Sequence, residues 1–396
     1  MVGLSFLEKL EMQNRRYKTA EKQGEFSMKV TCLIEDTCKD STFNEAICSE
    51  GISVEDIRKK ITCGNEGVCD EESICSKGIG KESICGKESN SGIETICGKD
   101  SGKENRGAGL LCEHGLSLYI ETTNHKILFD TGRSGVFADN AEKLGIDLDE
   151  VDIAVISHGH YDHGNGLSRF LAVNHHAPVY INRRAFGGYY SQKGRFIGID
   201  PAPRENRQLI FTDDECRIDD ELFLCTCNGR ERTFPSMTDG LTEECNDGSR
   251  RPDLFLHEQY LIITEKKSGE DPEKGCWKNN AISDEKRCWN DNPKENRTDS
   301  GKGNDKKVVF SACSHKGVLN IVSWLKPDVF VGGFHFFHED VQDGANKTLD
   351  QAAGFLNAQP CVYYTGHCTG TPQYAYLKKR MGDRLHGLST GCSFKL

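Results

Sequence analysis

The stretch that decides the reading is Ser157-His158-Gly159-His160-Tyr161-Asp162-His163-Gly164-Asn165-Gly166. Three histidines and an aspartate fall within six residues and are fenced by glycines. The loop follows "VDIAVIS" (151–157), a short apolar, β-branched run of the kind that forms a buried strand. Residues two apart in an extended segment point to the same side, so His158 and His160 project together off the strand end. Asp162 and His163 follow where Gly164 and Gly166 let the backbone turn. Three imidazoles and a carboxylate thus face one volume, a ligand set suited to a borderline-soft divalent metal such as zinc. The bland alternative is a polar surface loop. With 13 histidines in 396 residues, three at this spacing directly after a buried strand speak against it.

Outward from the loop, apolar runs and helical spacings alternate. "LSLYIETTNHKILFDTG" (116–132) reads as a hairpin, and "APVYIN" (177–182), "QYLIITE" (259–265), "KVVFSA" (307–312) and "PDVFVGG" (327–333) read as strands. "VFADNAEKLGI" (136–146), "GVLNIVSWL" (317–325), "TLDQAAGFLNA" (348–358) and "PQYAYLKKRMG" (372–382) carry helical spacing. Interleaved strands and helices predict a layered α/β core. "MKVTCLIED" (28–36) alternates as a first strand. Between it and the hairpin, 38–108 is rich in Gly, Ser, Lys, Glu and Cys, with a degenerate repeat at Glu72-Ser73-Ile74-Cys75, Glu82-Ser83-Ile84-Cys85 and Glu94-Thr95-Ile96-Cys97. It lacks Cys-x-x-Cys pairs, and few large apolar residues are there to offset ordering entropy. Residues 267–305 have a similar polar bias. Both are expected to be flexible inserts in one domain at 28–396, preceded by an N-terminal extension at 1–27. Without them, roughly 260 residues remain, enough for a single domain.

Bulk composition narrows the function. Apolar residues make up 36%, and 61 acidic against 50 basic residues give a net charge of −11. That excess argues against a nucleic-acid-binding surface as the main activity. No apolar run is long enough for a signal-peptide core or a membrane span, so a cytoplasmic protein without a membrane partner is expected. In that compartment the 19 cysteines would be reduced thiols.

The segment His158–His163 matches His-x-His-x-Asp-His, and on this motif the chain resembles the metallo-β-lactamase superfamily. "EHGLSLYIET" (113–122), "ILFDTG" (127–132), "HEQYLIIT" (257–264), "SACSHKG" (311–317), "GGFH" (332–335) and "GHCTG" (366–370) are similar to a branch of metal-dependent hydrolases related to dihydropterin-(ribofuranosyl)aminobenzene 5'-phosphate synthase. The resemblance implies an α/β fold, the αββα sandwich of the superfamily, here with two low-complexity insertions. It implies a centre for two divalent ions, Zn foremost, with Mn, Fe or Mg as alternatives. His158, His160 and His315 would share one ion, and Asp162, His163 and His367 the other. It also implies a small-molecule substrate. The chemistry is either hydrolysis of a phosphorylated or ester-type substrate by activated water, or a synthase-like transfer that releases diphosphate. A non-enzymatic metal-binding protein is the third reading.

The residues add detail to that expectation. His315 and His367 both lie where layered α/β folds place ligands, on loops after strands. Most two-metal members carry a bridging aspartate, whereas the comparable strand end here is Ala312-Cys313-Ser314-His315. Either Cys313 stands in as a thiolate, or His315 takes over with water as the only bridge. Asp130, ending a strand in "FDTG", is the candidate to hold a ligating histidine by its free N–H. Asp162 would orient the attacking water. His335, after Gly332-Gly333, would be a ligand, a substrate contact or an acid.

Overall fold

The computed structural model describes residues 28–37, 109–238, 240–265, 305–341 and 344–396. The 1–27 extension and the two expected inserts lie outside the described residues, apart from Asp305. Along the chain, β1 (Lys29–Ile34), β2 (Ser117–Glu121) and β3 (Lys126–Phe129) lead to α1 (Val136–Lys143) and β4 (Ile153–Ile156). Then come α2 (Tyr161–Gly164), α3 (Leu167–Val173), β5 (Val179–Asn182), β6 (Tyr189–Tyr190), β7 (Leu209–Thr212), β8 (Glu215–Arg217), β9 (Leu222–Cys225), β10 (Thr242–Glu244), β11 (Arg250–Pro252) and β12 (Tyr260–Glu265). The second half has β13 (Lys306–Phe310), α4 (Val318–Leu325), β14 (Val329–Val331), α5 (Lys347–Asn357), β15 (Val362–Thr365), α6 (Thr371–Met381), β16 (Leu385–Gly387) and β17 (Ser393–Lys395).

Among the described residues these form two seven-stranded sheets, β17-β1-β2-β3-β4-β5-β7 and β16-β15-β14-β13-β12-β9-β8. Each is antiparallel at one end and parallel at the other: β3, β4, β5 and β7 run together, as do β13, β14, β15 and β16. The sandwich follows from the pleat. Successive side chains of a strand point to opposite faces. Val30, Ile127, Phe129, Val155, Leu261, Val308 and Phe310 face inward and pack sheet on sheet, with the Phe129 and Phe310 ring centroids 5.8 Å apart. Their sequence neighbours Leu128, Ala154 and Ile156 meet Phe137 and Ala141 of α1 and Phe170 of α3. Val309 and Phe330 likewise meet Ile321 of α4, Leu349 and Leu356 of α5, and Leu377 of α6. Both faces of each parallel half are therefore covered, which is why its strands read as continuous apolar runs rather than alternating ones.

A three-stranded sheet, β11-β10-β6, is an addition the sequence pattern did not predict. No helix among the described residues is long and apolar enough to cross a membrane. Cys32, Cys216, Cys225, Cys227, Cys245, Cys313, Cys361, Cys368 and Cys392 are free thiols. Cys112 is disulfide-bonded, against the expectation of reduced thiols throughout.

Candidate metal centre

β1 and β3 both pair antiparallel to β2, so β1, β3 and β4 end at the same edge of their sheet. In the other sheet β13, β14 and β15 end together. The loops leaving these ends carry Glu35 and Asp36, Asp130, His158 to His163, Cys313 and His315, His335, and His367. The parallel halves thus aim loops from distant parts of the chain at one place, as open α/β sheets do at the carboxyl ends of their strands.

The motif loop is tightly held. His160 is extended (φ −100°, ψ 146°) and leads into the single turn of α2, which carries Asp162 and His163. Gly164 and Gly166 are not in left-handed backbone; their role is space, a correction to the turn reading. A Cβ on Gly166 would stand 2.1 Å from the Thr131 carbonyl oxygen, and one on Gly164 2.4 Å from Ile199 Cδ1. Asp130, fully buried, accepts from the Ser157 amide (2.7 Å) and the Ser157 hydroxyl (2.7 Å), and faces His163 Nδ1 at 2.8 Å. A proton kept on Nδ1 leaves His163 Nε2 directed at Cys313 Sγ, 3.2 Å away.

Two groups of donors meet at that sulfur. The ligand atoms of His158, Cys313 and His315 lie within 4.8 Å of one another, as do those of His163, Cys313 and His367. His160 stands beside the first group, its Nδ1 3.1 Å from His158 Nε2. Asp162 Oδ2 lies 3.3 Å from His367 Nε2 and 3.4 Å from both His163 Nε2 and His114 Nε2. Every residue expected to ligate is thus in the same cluster, and Cys313 occupies the position between the halves. His335 joins through its ring, 4.2 Å from that of His315.

The donor set fits a cation. Nε2 of His160 and Nε2 of His315 are buried with no hydrogen-bond partner among the described residues. Such an orphaned polar atom costs about 1–3 kcal/mol, a cost that ligation removes. Burial, aided by the neighbouring imidazoles, holds His158 and His315 well below the ordinary histidine range and His160 down to about 3, so their lone pairs are free. Burial alone would also lower His163, but Asp162 and Asp130 outweigh it and raise it to about 9. Burial would raise Asp162, yet His163, His367 and His114 keep it ionised. The backbone is strained in the same place: Asp130 (φ 60°), Ser314 (φ 59°), His335 (φ 58°) and His367 (φ 47°) are non-glycine residues in the left-handed region. Each such residue costs on the order of 1–3 kcal/mol and persists where surrounding structure over-determines it, typically at functional sites.

Glu35, Asp36 and His257 were missed from the sequence. Glu35 Oε1 accepts the His367 amide (2.5 Å), and Asp36 Oδ1 lies 2.9 Å from His367 Nδ1. These carboxylates end the strand "MKVTCLIED", so the strand-end rule that picked Asp130 would have picked them too. Asp36 also binds His114 Nδ1 (3.1 Å), which draws His114 into the site. His257 accepts the Gly159 amide on Nδ1 (2.8 Å) and directs Nε2 to Asp253 (3.1 Å). It holds the backbone between two motif histidines, and its ligand atom is within 4.8 Å of those of His160 and Asp253. His175, His176 and His338 are exposed, His386 is half-buried, and Arg183 pairs with Asp213 at the surface.

The family model of the metallo-β-lactamase superfamily matches residues 111–233, a span that contains Asp130 and the whole motif loop. That segment, about a third of the chain, is similar to the metallo-β-lactamase superfamily. The fold of the chain is shared with the crystal structure of Tm1679, a metal-dependent hydrolase of the β-lactamase superfamily, at a TM-score of 0.55 and 21% identity over 93% of this chain and 99% of that one. Two curated relatives come from Methanocaldococcus jannaschii. The uncharacterized protein MJ0448 is 25% identical over 269 residues (65% of this chain, 84% of its own length). The 7,8-dihydropterin-6-methyl-4-(beta-D-ribofuranosyl)-aminobenzene-5'-phosphate synthase is 27% identical over 284 residues (65% and 81%).

Proposed function

We propose that this chain is a metal-dependent hydrolase acting on a small phosphorylated or ester-type substrate. The observation that carries the reading is the convergence of two imidazole groups on Cys313, with the buried Nε2 atoms of His160 and His315 lacking any other partner among the described residues. His158, His160 and His315 would hold one divalent ion, Zn2+ foremost, and Asp162, His163 and His367 a second. Bound ions supply Lewis acidity, which polarises a phosphoryl or carbonyl oxygen and makes water reactive near neutral pH.

The chain's own groups do the rest. Asp130 keeps the proton of His163 on Nδ1, and Asp36 and Glu35 fix His367 at its Nδ1 and its amide. Asp162, ionised and faced by three imidazoles, accepts a hydrogen bond from the attacking water and orients it. His335, its ring 4.2 Å from that of His315, would line the centre as a ligand or substrate contact.

The similarity to the synthase favours a second reading, transfer with release of diphosphate from a pterin substrate. Steady-state assays of the purified chain against phosphate esters and against a pterin diphosphate separate the two. Ester hydrolysis without a pterin supports the hydrolase and refutes the transferase; pterin-dependent diphosphate release does the reverse. Metal binding with neither activity would leave a non-enzymatic metal protein.

A further inference from the structure

We propose that Cys313, Cys368 and His335 form a thiolate-rich metal position adjoining the imidazole groups, fit for a borderline-soft divalent ion such as Zn2+. The inference rests on the metal-dependent reading above and adds sulfur to it. The ligand atoms of these three residues lie within 4.8 Å of one another. All three are buried, at 2%, 5% and 8% exposure. They come from the loops after β13, β15 and β14, consecutive parallel strands of one sheet, so their spacing is set by rigid elements rather than by a mobile loop.

The backbone makes room for the sulfur. A Cβ on Gly333 would stand 2.3 Å from Cys368 Sγ and 2.7 Å from the Ala312 carbonyl oxygen, so the approach of Cys368 requires glycine there. His335 sits two residues on at φ 58°, and His367 at φ 47° turns Cys368 inward from the other side. Zinc–sulfur bonds of about 2.3 Å and zinc–nitrogen bonds of about 2.0 Å give ligand separations of roughly 3.5–3.8 Å in a tetrahedron. The present separations, at most 4.8 Å, exceed that by no more than about 1.3 Å. Two sulfurs and an imidazole are a donor set for Zn2+ or Co2+, and a poor one for Mg2+. Cys313 belongs to all three donor groups, so its sulfur is the ligand position shared between this site and the other two.

Cobalt reports sulfur directly, because thiolate-to-cobalt charge transfer absorbs in the near ultraviolet whereas imidazole and carboxylate ligands leave only the weak visible bands. The full-length protein is stripped with a chelator under reducing conditions and titrated with Co2+. The expected result is an intense near-ultraviolet band that falls by about half in Cys368→Ser, one of two thiolates being lost. Cys361→Ser, a buried thiol in the helix-side core, should leave it unchanged. Visible cobalt bands without the near-ultraviolet band, or a band insensitive to Cys368→Ser, overturn the proposal while leaving the metal-dependent reading intact. A folded protein that gives no cobalt absorption overturns both. Should Cys368→Ser not fold, zinc X-ray absorption of the wild-type protein decides: sulfur scatterers at about 2.3 Å support the site, and their absence removes it.

Discussion

Substituting Asp130 by Asn tests how the centre is held together. The Asp130 carboxylate has no solvent exposure and receives three contacts, from the Ser157 amide, the Ser157 hydroxyl and His163 Nδ1, at 2.7, 2.7 and 2.8 Å. Asn tolerates the left-handed backbone at φ 60°, which Ala would resist, so the change isolates hydrogen bonding from strain. The new amide can still accept from the Ser157 amide. Its NH2, however, would face His163 Nδ1. Either two donors oppose each other in a buried site, at about 1–3 kcal/mol, or the His163 proton moves to Nε2 and blocks the lone pair aimed at the centre. Both routes weaken binding of an ion held by His163 by about 10- to 100-fold, the range seen when a histidine's outer partner is lost. A competition titration of Zn2+ against a chromophoric chelator reads this, with a thermal melt confirming that the variant is folded. A dissociation constant within about threefold of wild type, short of the tenfold that loss of an outer partner costs, would refute the account of Asp130.

Other changes probe neighbouring claims. His257→Ala leaves the Gly159 amide buried without its acceptor, so metal affinity should fall about tenfold in the same titration. Phe310→Ala opens a cavity between the two sheets and should cost about 3–5 kcal/mol by urea unfolding, a large share of a typical domain's stability. Two glycines should respond in opposite senses in thermal melts. Gly166→Ala forces a Cβ against two carbonyl oxygens, at 2.1 and 2.5 Å, and destabilises by about 1–3 kcal/mol or more. Gly354→Ala, in α5 with nothing within 4 Å, stabilises by about 0.5–1 kcal/mol.

The readable parts of this protein are those where one local signal suffices. β4, β12, β13 and β14 are buried on both faces, so each stands out as an apolar run, and α4 and α5 carry their own spacing. The motif loop shows its candidate ligands because four of them fall within six residues. His315 and His367 come from the family resemblance, and their positions at strand ends agree with it. The strand-end rule fails for His257, which precedes β12: this strand runs antiparallel to β13, so its beginning, not its end, reaches the site. Glu35 and Asp36 obey the rule but lie more than 300 residues from the His367 they contact, and nothing local ties the two together. Strands β10 and β11 have largely exposed or half-exposed residues and hence no alternation to read. The thiols of Cys313 and Cys368 are brought together only by the parallel pairing of strands.

The central claim is that the motif loop, with His315 and His367, forms a metal centre that performs the chemistry. It is tested most directly by elemental analysis of the purified full-length protein and its His160→Ala variant, alongside phosphate-ester turnover. The account predicts tightly bound divalent metal in the wild type, with both metal and turnover lost in His160→Ala while the fold persists. Undiminished turnover in His160→Ala, or a folded wild-type protein that binds no divalent metal, would contradict it.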